Sequence, residues 1–170
     1  MKNINAIYNE ALDIVIDSIG AENLGQIVLP IVINTRAMKR WGRCITRNGY
    51  STIEISSRIL GDDVPDNAVL STMVHEILHS CKNGHSHTGM WKIYANKVNR
   101  KYPYLNIQRT KSANEFGLSQ EQVLISQKYA IRCKNCGAMH YSSRMSASIQ
   151  TPEKYGCKRC GGKNCWERIK

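Results

Sequence analysis

Apolar residues in the first twenty positions recur at helical rather than strand spacing. Ile4, Ile7, Tyr8, Ala11, Leu12, Ile14, Val15 and Ile19 share one face, and Asn9, Glu10, Asp13 and Asp17 interrupt it. This predicts an amphipathic helix and argues against a signal peptide or a membrane span, because no run of eighteen apolar residues occurs. QIVLPIVIN then has strand composition, with Pro30 indicating a sheet edge or a bulge. WGRCIT and STIEIS flank Arg47, Asn48, Gly49 and Tyr50, and Asn-Gly between two extended runs predicts a hairpin. A two-residue turn there pairs Cys44 with Ile53 and Arg43 with Glu54. Gly42, Cys44, Ile53 and Ile55 then share a buried face, which makes Cys44 a core residue.

A second helical pattern follows in DDVPDNAVLSTMVHEILHSC, where Val69, Leu70, Met73, Val74, Ile77 and Leu78 have helical spacing. Asp66 is its candidate N-cap and Asn83-Gly84 its stop. A third helix is expected from about Thr88, with Trp91, Tyr94, Ala95 and Val98 on one face, ending before Tyr102-Pro103. TKSANEFGLSQEQ is polar and irregular, and reads as a connecting segment over residues 113–128. The pattern divides the chain into a domain over 1–112 and a small C-terminal unit over 129–170. The fold class is α+β: helices packed on a short, mostly antiparallel sheet, followed by a four-cysteine unit.

Composition changes this picture little, but charge changes it more. With 42% hydrophobic and 22% charged residues, the chain belongs with ordinary globular proteins. Residues 1–90 carry 8 Lys and Arg against 9 Asp and Glu (−1), whereas residues 91–170 carry 16 against 4 (+12). An excess confined to one half is the electrostatic footprint expected of a polyanionic partner, nucleic acid above all, as well as of a solvated basic surface. Four of the seven cysteines lie in two CxxC pairs, which in a reducing compartment read as metal ligands. The expected location is therefore the cytoplasm or the nucleoid, with no membrane association.

The chemistry concentrates in HEILHSCKNGHSHTGMW, from His75 to Trp91. Residues four apart on a helix share a face, so His75 and His79 can bind one ion, and Glu76 can reach water beside it. Zinc suits imidazole ligands and lowers the pKa of a bound water to about 7. The third ligand is open on spacing alone. A nearby glutamate is excluded, because the next acidic residue after Glu76 is Glu115. His85 has the interval of HExxHxxGxxH, but that pattern's glycine falls on Lys82. His87 instead stands at the entry to the next helix, with Trp91 one turn on to pack beneath it.

Cys133/Cys136 and Cys157/Cys160, in CKNCG and CKRCG, have the spacing of a zinc ribbon in which four thiolates leave no position for water, so that this ion is structural. Cys165 and His140 are spare candidates expected to have no metal role. Arg132, Lys134, Arg144, Lys154, Lys158, Arg159, Lys163 and Arg168 surround the cysteines, with Tyr141, Tyr155 and Trp166 among them. Such a mixture suits single-stranded or irregular nucleic acid, although the aromatics can equally cover the ribbon's interior.

These motifs together resemble the SprT-like family of zinc metalloproteases, over most of residues 27–165. The His87-to-Trp91 interval, the WGRC and IEIS segments and the downstream CxxC pairs all match that family's arrangement, with Thr88 standing where glycine is usual. The resemblance implies His75, His79 and His87 as ligands of a catalytic zinc, Glu76 as general base, and a second, structural zinc. It also implies an endopeptidase recruited or activated by DNA and acting on DNA-associated or DNA-crosslinked proteins. Two other classes fit the residues: a nucleic-acid-binding protein with a non-catalytic HExxH site, and a zinc nuclease using His75, His79 and His85.

Overall fold

The computed structural model describes residues 2–37, 40–110, 128–142 and 144–170, and it divides into two units, Met1–Gly117 and Leu118–Lys170. The connecting segment expected over 113–128 lies, except for Lys128, outside the described residues.

The first unit is built around its middle helix. Helix α1 (Ile4–Ile19) is capped by the Asn3 side chain, which accepts from the amides of Asn5 and Ala6, and it buries Tyr8, Ala11, Ile14, Val15 and Ile19. That face packs on α2 (Asp66–Ser80) and α3 (Met90–Lys101). In α2 almost every side chain is buried, among them Met73, Val74, Ile77 and Leu78 at 0% exposure. Each such residue contributes roughly 1.5–3 kcal/mol of transfer free energy. A helix this enclosed is a rigid base for whatever projects from it. Asp66 is its first helical residue, not its cap: Pro65 holds the cap position, its carbonyl accepting from the Ala68 amide at 3.0 Å, and Asp66 instead pairs with Lys2. Helix α2 ends at Ser80, and Asn83 (φ 59°) and Gly84 turn the chain back beneath it. A Cβ at Gly84 would stand 2.1 Å from the Leu78 carbonyl oxygen, so only glycine fits there. The buried face of α3 is the expected set, Trp91, Tyr94, Ala95 and Val98.

The sheet has the order β1 (Gln26–Asn34), β3 (Tyr50–Ser56), β2 (Gly42–Arg47). The hairpin register is as expected, with Cys44 opposite Ile53 and Arg43 opposite Glu54. Strand β1 lies at an edge, and its pairing is irregular between Val28 and Val32, on either side of Pro30. It runs parallel to β3, so this sheet is mixed, with one antiparallel and one parallel pairing. Ile53 and Ile55 are fully buried, whereas Cys44 is only half-buried. The core role expected of Cys44 is thereby corrected: β2 is the other edge strand, and its Cys44 lines an open cleft beside α2.

In the second unit, β4 (Tyr129–Cys133) pairs antiparallel with both β5 (Met139–Ser142) and β6 (Trp166–Arg168). The two CxxC segments repeat one turn. Gly137 donates to the Cys133 carbonyl and Gly161 to the Cys157 carbonyl, at 2.9 and 2.8 Å, with φ of 70° and 71°. The glycine after each pair supplies the left-handed conformation that this turn requires. Among the described residues, no helix is long and apolar enough to cross a membrane.

Candidate metal centres

His75, Glu76 and His79 project from α2, and His87 comes from the segment joining α2 to α3. Nε2 of His87 stands 2.9 Å from Nε2 of His75 and 3.1 Å from Nε2 of His79. His85 also borders the cleft, but it is exposed and lies outside this group. The opposite ring nitrogens fix the protons. Nδ1 of His75 faces the Gln108 carbonyl at 3.0 Å, and Nδ1 of His79 faces the Gly84 carbonyl at 2.9 Å. A carbonyl only accepts, so each Nδ1 carries the hydrogen and each Nε2 presents a lone pair. The Nε2 atoms of all three rings thus converge on one place, where a single cation could bind them together. Tetrahedral zinc with ligands at 2.0–2.1 Å sets nitrogens about 3.3 Å apart, and the donor set therefore fits that ion. Burial holds His79 and His87 below the ordinary imidazole range, which favours the neutral ligand form.

Trp91 packs against all three rings, with centroids 4.8, 5.5 and 4.7 Å from those of His75, His79 and His87. This is the role that its position one turn after His87 predicts.

Glu76 is 7% exposed, and burial pushes its carboxyl up to about 8, against the opposing pull of the Cys44 amide and the Arg40 charge. The Cys44 backbone amide of β2 thus faces the acid on α2 and favours its charged form. Gly42 of the same strand lies against Glu76. The surrounding cleft has a volume of about 800 Å³, with β2 on one wall and Gln108, Arg109 and Thr110 on another.

Several contributors carry no motif. Asn99 donates to the Ile107 carbonyl at 2.8 Å and accepts from its amide at 2.6 Å, clamping the segment whose next residue, Gln108, orients His75. Tyr94 donates to the Lys82 carbonyl at 3.2 Å and steadies the turn that carries Gly84. A lone polar residue within an amphipathic helix gives no sequence signal for such a role.

In the second unit Cys133, Cys136, Cys157 and Cys160 form one group, with Sγ separations of 3.8 Å (Cys133 to Cys160) and 3.7 Å (Cys136 to Cys157). Tetrahedral zinc at about 2.3 Å from each sulfur requires about 3.8 Å between sulfurs, so these residues also fit the ion. Cys165 is buried against them but donates to the Gly162 carbonyl, and His140 is exposed outside the group. Trp166 packs on the cysteine cluster and Tyr141 is half-buried, whereas Tyr155 is 41% exposed.

All eight basic candidates are exposed, but their surroundings differ. Arg132 is paired with Glu167 at 2.6 Å, and Arg168 lies over the Tyr129 ring. Lys154, Lys158 and Lys163 instead converge with Tyr155 and Asn164 on one cavity of about 450 Å³. Lys134, Arg144 and Arg159 lie outside it.

Comparison with known families matches residues 14–111 to the SprT-like family, and no curated protein matches the chain. The matched span encloses the HExxH helix, the segment bearing His87 and both walls of the cleft. The chain, a metalloprotease-like domain followed by a four-cysteine unit, thus belongs to the SprT-like family.

Proposed function

We propose that this protein is a zinc-dependent endopeptidase, recruited or activated by DNA and acting on DNA-associated or DNA-crosslinked proteins. The observation that carries the catalytic half is Glu76: a buried carboxylate on the helix that bears two of three converging imidazoles. A purely structural zinc site has no use for such a group. His75, His79 and His87 would hold the ion, which supplies Lewis-acid chemistry at a peptide carbonyl when bound. Glu76 takes the proton of the attacking water and delivers it to the leaving amine. The outer edge of β2, unpaired among the described residues, can pair with an extended substrate segment, which presents its backbone along the cleft. Cys133, Cys136, Cys157 and Cys160 would hold the structural zinc. The nuclease alternative depends on His85, which lies outside the histidine group.

The DNA half rests on charge. Lys154, Lys158 and Lys163 track phosphates, while the exposed Tyr155 between them offers a stacking surface for an unpaired base. Incubation of the full chain with a disordered protein, with and without single-stranded DNA, tests the reading. Cleavage by the wild type that is stimulated by DNA and abolished in Glu76→Gln is the expected result. Cleavage that persists in Glu76→Gln, or none under any condition despite tight DNA binding, overturns it.

A further inference from the structure

The cleft is lined mostly by polar and charged residue types, although the surface they present is more apolar than polar. Of its sixteen lining residues only Trp41 and Cys44 are apolar, and the rest are glycine, hydroxyl, amide, imidazole or charged groups. The charge among these residues is one-sided, which gives the cleft a means of selecting substrates by charge. Arg40, Arg43 and Arg109 line the cleft, and its only carboxylate among the described residues is Glu76, which is buried. Glu54, outside the lining, offsets part of this. It pairs with Arg40 at 3.1 Å and lies opposite Arg43 in the hairpin, so one carboxylate serves two guanidinium groups. Arg109 makes no ion pair among the described residues and is exposed where it lines the cleft.

Resting on the endopeptidase reading, we propose that the cleft selects extended peptide segments carrying an aspartate or glutamate close to the scissile bond, with Arg109 and Arg43 as specificity-determining residues. A carboxylate side chain there meets a net positive lining that Glu54 offsets only in part, whereas a lysine or arginine side chain meets repulsion. Exposed ion pairs are individually weak, so the preference is a bias rather than an absolute requirement. It also weakens as salt screens it.

A series of quenched-fluorescence peptides on one flexible host sequence tests this, with Asp, Asn or Lys placed singly at each position flanking the cleaved bond. The full-length, zinc-loaded protein is used at low and high salt. The Asp peptide is expected to exceed the Lys peptide by about five-fold in kcat/KM at the sensitive positions, mostly through KM and less at high salt. Arg109→Glu and Arg43→Glu are expected to move that ratio toward Lys, with Arg109→Lys retaining it. The ratio within one preparation does not depend on how much of a variant is folded. Equal cleavage of Asp and Lys peptides by the wild type overturns the proposal, as does a preference unmoved by both charge reversals. Reversals that leave the ratio intact but weaken single-stranded DNA binding also overturn it, assigning these arginines to a polynucleotide. Failure to cleave any peptide removes the endopeptidase reading itself, a distinct outcome.

Discussion

A methyl group placed on Gly42 would stand 2.6 Å from Oε1 and 2.7 Å from Cγ of Glu76. Both separations are shorter than real Cβ atoms tolerate, so Gly42→Ala forces the acid on α2 or the strand beside it to shift. The expected outcome is a loss of roughly ten- to a hundred-fold in kcat, the scale on which small misplacements of reacting groups are felt. Zinc content should be unchanged, because Gly42 is not among the histidine group's supports. Steady-state kinetics with elemental analysis on the same preparation checks both.

The two candidate third ligands separate by metal content. His87→Ala is expected to lose one of two bound zinc ions, while His85→Ala, an exposed side chain outside the group, should retain both. Mass spectrometry under native conditions counts the ions directly.

Asn99→Ala removes both hydrogen bonds to the buried Ile107 backbone and frees the segment that presents the Gln108 carbonyl to His75. Stability should fall by about 1–3 kcal/mol, the cost of unpaired buried polar groups. Affinity for the catalytic zinc should fall about ten-fold, as expected when a ligand's supporting partner is removed. Chemical denaturation and competition with a zinc chelator measure the two effects.

Burial pushes the Cys81 thiol from its ordinary 9.0 up to about 12. The folded state thus favours the neutral thiol, and the unfolded chain ionises first. The stabilisation linked to Cys81 is complete below about pH 9 and is lost as pH rises toward 12. Denaturation midpoints of Cys81→Ala should decline less across that window than those of the wild type. In the native protein, alkylation at pH 8 should spare Cys81 throughout, and should reach the four ribbon cysteines once a chelator strips their zinc.

Replacing Lys154, Lys158 and Lys163 together by Glu should weaken single-stranded DNA binding. It should also flatten the logarithmic salt dependence by about 0.7 for each phosphate that the protein no longer neutralises. Arg132→Glu, which starts from a residue already paired with Glu167, should do less. Titrations at several salt concentrations distinguish the two.

Local chemistry made much of this legible. Asn48-Gly49 set the hairpin register, the 3.6-residue period picked out the buried face of α3, and Trp91 one turn after His87 marked the ring on which the histidines rest. What escaped depends on segments that meet only in the folded chain. The parallel pairing of β1 with β3 joins strands separated by the whole of β2, and no periodicity encodes direction. Cys44 alternates like a core residue, but its strand is an edge whose inner face opens on the cleft. The Gln108 and Gly84 carbonyls that orient His75 and His79 are backbone atoms, on which side-chain identity has almost no purchase.

Those two carbonyls have a mechanical consequence. His75 reaches outward to the segment at Gln108, His79 reaches to the turn at Gly84, and both turn their inner nitrogens toward His87. An ion held by the three rings would tie the Gln108 side of the cleft and the turn at Gly84 to one helix. Metal binding would then also brace the two segments that flank the histidines.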